Sequence, residues 1–305
     1  MTHHPGAGIG AVFVLIAAVL WGTTGTVASF APGVGPLAIG AAAMGVGGLL
    51  QAALAGPALT HARHELRRRW PTIALGGVAV AVYPLAFYSS MRLAGVAVGT
   101  VISIGSAPIA SAVIERVIDG HRLTRRWAVG AGVGLVGVVL LTFVEPAQAA
   151  GAGNTTAGIL LGLLAGVTYA LYSWAAHRTM QRGVRSRVAM GAIFGAGGAL
   201  LMPVLVLTGA PLLESWHNFA VGTYMALVPM FLGYVFFGLG LARVMASTAT
   251  TLSLAEPVVA AMLAVVIVGE RLPAAGWIGV GLVIASLAVL TVPVRRNVRT
   301  AVGVP

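Results

Sequence analysis

The sequence predicts an all-α membrane protein, with ten transmembrane helices arranged as two inverted five-helix repeats. Three observations point there. The 305-residue chain is 58% hydrophobic and 8% charged, with a mean hydropathy of +0.97; a water-facing surface needs far more charge. Its apolar runs are about 20 residues long, enough for a helix to cross the hydrocarbon layer. A segment near the middle also returns near the end: "SAPIASAVIERVIDGHRL" (106–123) and "AEPVVAAMLAVVIVGERL" (255–272) place Pro108 and Pro257 149 positions apart.

The first span, 9–30, lacks a positive leading region and continues through Trp21, so it reads as a retained helix rather than a cleaved signal. The second and third cover 37–55 and 72–92, and the fourth, 95–118, carries Pro108. The fifth, 127–144, opens on Trp127, which suits an interface anchor. The sixth, 157–176, holds Gly158, Gly162 and Gly166 in two successive GxxxG steps, and the seventh, 188–207, holds Gly191 and Gly195. Such spacing, like the 42 glycines in the whole chain, fits closely packed membrane helices. The eighth span is 219–241 and the ninth, 247–268, contains Glu256 and Pro257. The tenth, 274–293, has Trp277 at its start as a second anchor. The expected repeats are then 9–146 and 155–293, followed by a tail at 294–305.

The net charge of +11 does not point to nucleic acid, because its placement follows the spans. All 18 basic residues counted as Lys or Arg are arginines, and 15 of them cluster at 63–69, 116–126, 178–187 and 295–299. With the N-terminus in the cytoplasm, only Arg92 and Arg271 of these 18 fall outside, which is the bias expected of a multi-pass protein. This orientation places both termini in the cytoplasm. The chain has no cysteine, so thiolate metal centres and disulfides are excluded.

The halves match beyond the first motif. "LIAAVLWGTTG" (15–25) pairs with "LLAGVTYALYS" (163–173), setting Trp21 opposite Tyr169, and Phe87 and Tyr88 correspond to Phe236 and Phe237. Five spans per unit is an odd number, so the second copy enters the membrane from the opposite side. "GHRLTRR" is rich in arginine, as an inside loop should be, whereas "GERLPAA" is not. Inverted repeats of this kind build secondary transporters, with a site at the midplane between the halves.

The proline-containing segment that ends in "GERL" and a Trp, the "FY" at 87–88, the "ASTA" at 246–249 and the opening "AAVLWGTTG" at 17–25 together resemble the EamA repeat of the drug/metabolite transporter superfamily. The resemblance covers about 9–293; the first copy departs from it at His121, where the family usually has Glu. It implies a carrier of small organic solutes in a bacterial inner membrane, with amino-acid export as the first expectation. Proton-coupled efflux of cationic drugs or other metabolites is the alternative.

Seven acidic residues exist. Glu65, Asp119, Glu145 and Glu214 fall in predicted loops, Glu270 at a helix end, and Glu115 near an arginine-rich end where water is expected to reach it. Glu256 alone lies deep in a span, where an ionised carboxylate costs on the order of 2.5–3.5 kcal/mol unless it faces a cavity or a partner. Two roles fit it: a site for a substrate ammonium or a proton, or a structural partner for the break at Pro257. Pro108 and Pro257 each remove a helical hydrogen bond and mark candidate helix breaks. Trp21, Tyr83, Tyr88, Tyr169, Tyr172 and Tyr234 fall inside spans and need polar partners there. With Ser103 and Glu256 they form the expected binding set around a semi-polar cavity. No catalytic constellation of the HExxH, GxSxG or Asp-rich prenyl-diphosphate kind is present, so an intramembrane enzyme is disfavoured. Nothing in the sequence calls for a metal or cofactor, and the expected partners are a small-molecule substrate and membrane lipid, with a monomer sufficient.

Overall fold

A computed structural model describes residues 6–142, 155–268 and 272–291. The regular structure among them is entirely helical. Among these residues, nine helices are long and apolar enough to cross a membrane. They are α1 (Ala7–Ala28), α2 (Pro36–Ala55), α3 (Trp70–Ala94), α4 (Val96–Ile118), α6 (Thr155–Gln181), α7 (Ser186–Thr208), α8 (Trp216–Leu241), α9 (Ala246–Ile267) and α10 (Ala274–Thr291). The predicted fifth span is also helical, as α5 (Arg125–Thr142), and its end meets the edge of the described residues. The predicted tail at 294–305, together with Glu145, Glu270 and Arg271, lies outside the described residues.

The helices pair in the way a pseudo-two-fold axis demands. α1 packs on α8 while α3 packs on α6, and these two pairings exchange when the halves are swapped. α2 packs on α7, α4 on the start of α9, and α5 on α10, and each of these three pairs maps onto itself. Glycines set the closest approaches. A Cβ on Gly137 of α5 would lie 2.8 Å from the Gly279 carbonyl of α10, and one on Gly279 would lie 2.7 Å from the Gly137 carbonyl. The GxxxG steps of α6 press on α3 and α4: Gly158 meets Ala94, Gly162 meets Ser90 and Ile102, and Gly166 meets Ser103 and Ser106.

Two departures from regular helix shape the centre. α2 carries a π-helical stretch at Ala41–Val46 and α8 another at Ala226–Leu232, and these two stretches pack together. The second contains Pro229, which has no N–H to donate. Carbonyls left free in it are taken by side chains from other helices. Trp21 Nε1 donates to Pro229 at 2.9 Å and Gln51 Nε2 donates to Phe231 at 2.7 Å, which gives the fully buried Gln51 a reason to sit inside the protein. α9 is interrupted after Leu252 and resumes at Ala255, so the break falls just ahead of Glu256 and Pro257. The Ser253 carbonyl accepts from the Glu256 N–H at 2.9 Å across that break. The expected break at Pro108 is not formed, because α4 runs on through it from Val96 to Ile118. A single missing hydrogen bond is tolerated where the helix is packed along its length, as α4 is against α6.

Candidate functional site

The two halves meet around a central cavity. α1 contributes Trp21 and Thr24, α2 the residues Gly40, Ala43 and Met44, and α3 Tyr83, Pro84, Phe87 and Tyr88. Tyr169 comes from α6, Met230 and Tyr234 from α8, and Glu256 from α9. The space among these residues is narrow in this state. Five expected aromatics, Trp21, Tyr83, Tyr88, Tyr169 and Tyr234, therefore share one cavity with Glu256.

Their rings form a continuous network. Trp21 lies 4.9 Å from Tyr234 and 6.3 Å, edge on, from Tyr169. Tyr83 lies 5.6 Å from both Tyr169 and Tyr172. Some polar atoms are committed: Trp21 to Pro229, Tyr169 OH donating to Ser253 Oγ at 2.9 Å, and Tyr172 and Tyr234 bonded hydroxyl to hydroxyl at 2.7 Å. Others are not. Among the described residues, the Tyr83 and Tyr88 hydroxyls and the Glu256 carboxylate have no protein hydrogen-bond partner. Both hydroxyls lie within electrostatic reach of that carboxylate. Among the described residues no Arg or His lines the cavity, and the chain has no lysine.

Two expected members sit elsewhere. Tyr172 is fully buried behind Tyr234, stacked edge on against Phe194. Ser103 is fully buried on α4 against Gly166, its hydroxyl unpartnered. Pro108 and Pro257 do not line the cavity. The lining residues Thr24, Met44, Phe87 and Met230 carry no charge or unusual polarity, and only Phe87 had a signal in the sequence, through the repeated aromatic pair.

Towards the arginine-rich end the centre is closed by a ladder of polar contacts. Beyond the Tyr169–Ser253 bond, Thr250 Oγ1 donates to Ser111 Oγ at 3.2 Å, and the Ser247 N–H donates to Glu115 Oε1 at 3.2 Å. Asp119 then accepts from Trp174 Nε1 at 2.6 Å and pairs with Arg178, whose guanidinium stacks over Trp174. Trp127 joins this set rather than acting purely as an anchor: its Nε1 donates to the Ser247 carbonyl at 3.3 Å. Glu115, expected within reach of water, is 1% exposed.

Comparison with known proteins agrees with this architecture. The EamA-like transporter family matches twice, over residues 8–143 and 156–292. An uncharacterized transporter of Bacillus subtilis, YwfM, is 34% identical over 94% of this chain and 95% of its own length. A probable terminal-alkyne amino-acid exporter of Streptantibioticus cattleyicolor is 27% identical over 92% of this chain and 97% of its own. A solved crystal structure, 22% identical, superposes with a TM-score of 0.76 over 92% of this chain and 96% of that one, a likeness of fold alone. With both halves matched by one family and the helices paired around a central cavity, the chain belongs to the EamA-like transporter family, as a multi-pass membrane protein.

Proposed function

We propose that the protein exports small organic amines, amino acids first among them, by alternating access across a bacterial inner membrane. The observation that carries this reading is the Glu256 carboxylate, uncommitted to any described protein donor and facing a cavity walled by aromatic rings. A carboxylate beside aromatic faces attracts an ammonium group by charge and by cation–π interaction. Rings and Met side chains suit the apolar part of such a solute. The Tyr83 and Tyr88 hydroxyls supply donors for a substrate carboxylate. The similarity to a probable amino-acid exporter supports the same choice.

One observation favours a second reading. With no Arg, Lys or His among the described lining residues, a cation without a carboxylate finds every group it needs, which suits efflux of cationic compounds. Purified protein in liposomes separates the two. Flux of apolar amino acids exceeding that of their methyl esters supports the first reading. Flux of the esters and of cationic dyes, with none of the free amino acids, replaces it by the second. No flux of any of them rejects both.

A further inference from the structure

Six exposed arginines near the ends of α2, α3, α6 and α7 take no part in the central cavity. They lie on two links. The first, residues 56–69, joins α2 to α3 and folds as two short helices, Pro57–His61 and Arg63–Arg68. Gly56, at φ +44, makes the turn off α2, and Pro57 opens the first helix. Ala58, Leu59, Ala62 and Leu66 pack inward on the apolar core, which turns Arg63, Arg67 and Arg68 out to the surface. The second link, residues 182–185, joins α6 to α7. Val184 is buried there, while Arg182, Arg185 and, at the start of α7, Arg187 are exposed.

Arg69 joins the two links. Its Nη2 donates to the Arg182 carbonyl at 2.5 Å, and its Nη1 donates to the Glu65 carbonyl at 3.2 Å. It also pairs with the Glu65 carboxylate at 3.7 Å, and Glu65 is the only acidic residue on either link. The short helix Pro57–His61 packs on α7, so the links of the two halves stand side by side. Among the described residues, none of the six exposed arginine side chains makes a hydrogen bond or an ion pair. Seven arginines against one glutamate repel one another unless an anion from outside the chain answers them.

Depth selects the anion. Both links begin and end on membrane spans. Trp70, the first residue of α3, is 66% exposed beside the first link, as an aromatic at the headgroup level is. The surface also exists at one end only, because the corresponding links at the opposite end, residues 29–35 and 209–215, contain no arginine. We propose that the two links bind the phosphodiester headgroups of anionic phospholipids in the leaflet at the arginine-rich end. Clustered arginine immediately beyond a span draws anionic lipid, and a guanidinium fork meets two phosphate oxygens at once. A headgroup held by both links ties the first half to the second, since one link belongs to each repeat. This surface does not depend on what the cavity carries.

The probe is phosphatidylglycerol with a fluorescent acyl chain, followed by anisotropy on the purified full-length protein in a neutral detergent. The same label on phosphatidylcholine is the second arm. Phosphatidylglycerol should bind at least about tenfold more tightly, and raising salt from about 0.1 M to about 1 M should remove most of that preference by screening. The triple variant Arg63→Gln, Arg67→Gln, Arg68→Gln should lose at least about tenfold in phosphatidylglycerol affinity. The variant Arg182→Gln, Arg185→Gln, Arg187→Gln should lose as much, and it carries the test if the first does not fold. Arg116, Arg122 and Arg125 are exposed at the same end but off both links. Arg116→Gln, Arg122→Gln, Arg125→Gln removes the same charge, and affinity should change by less than about twofold. Equal losses in all three variants would overturn the proposal, as would equal binding of the two lipids. Displacement by inorganic phosphate beyond that by chloride at matched ionic strength would replace the lipid surface by a site for free phosphate.

Discussion

At the scale of single residues, the chemistry concentrates on groups whose polarity is out of place in an apolar span. Glu256 faces the cavity without a described protein donor. If it binds the substrate amine or a coupling proton, Glu256→Gln should reduce flux at least about tenfold, the loss expected when an interaction of about 1.4 kcal/mol is removed, with melting temperature unchanged. If it only supports the break before Pro257, Gln should transport normally and Glu256→Ala should lower thermal stability instead. Trp21 permits a purely structural test. Its indole N–H satisfies the Pro229 carbonyl inside the π-helical stretch of α8. Trp21→Phe keeps most of the ring contact and leaves that carbonyl unpaired, so stability should fall by about 1–3 kcal/mol, read as a lower melting temperature. Glu256 and the buried aromatics were legible in the sequence because charge and hydroxyls stand out against Leu, Val and Ala. Tyr172 and Ser103 show the limit of that signal. One helical step turns a side chain by about 100°, so two residues of equal polarity in neighbouring turns point to different places. Thr24, Met44 and Met230 line the cavity yet look like any other span residue. Glu115 looked like a helix-end carboxylate, and only tertiary packing against α6 and α9 reveals its burial.

At the scale of elements, hydropathy and glycine spacing marked where the helices lie, because both are set by lipid and by close packing. The π-helical stretches were not legible, since a widened turn depends on what satisfies its carbonyls, here Trp21 and Gln51 from other helices. Proline gave an ambiguous signal for a related reason. Pro257 follows a real interruption, whereas Pro108 is absorbed into a continuous helix. The α5–α10 contact tests the glycine reading. Any side chain at Gly279 would meet backbone, the Gly137 carbonyl at 2.7 Å, which cannot rotate aside. Gly279→Val should therefore cost about 1–3 kcal/mol through overpacking and reduce yield and melting temperature. Gly281, two positions on, faces open space, with no atom within 4 Å of where a methyl group would sit, so Gly281→Ala should leave both unchanged. Equal damage from both variants would mean that α5 and α10 do not depend on this close approach.

At the scale of the whole molecule, the pairing of helices and the distribution of arginine combine into one expectation about motion. Cysteine labelling should find Arg125 accessible from the cytoplasmic side, as the arginine asymmetry requires; labelling from the opposite side would remove the basis for the inverted orientation. α3 and α4 are joined through Gly95 alone, at φ +90, and α8 and α9 through residues 242–245. Links this short make each pair a stiff hairpin, and an inverted repeat lets the two hairpins exchange roles as the carrier changes state. In the state seen here the hairpins touch at the arginine-rich end, where Ser111 of α4 and Thr250 of α9 have their hydroxyls 3.2 Å apart. Replacing both by Cys puts two thiols within reach of a disulfide, in a chain that has no other cysteine. Oxidation of the Ser111→Cys, Thr250→Cys protein should abolish flux by holding the hairpins together, and reduction should restore it. A cross-link within the α3–α4 hairpin should leave flux intact, because those helices move as one body. Full flux in the oxidised α4–α9 protein would show that transport proceeds without separating these hairpins, and rocking of the hairpins would have to be abandoned.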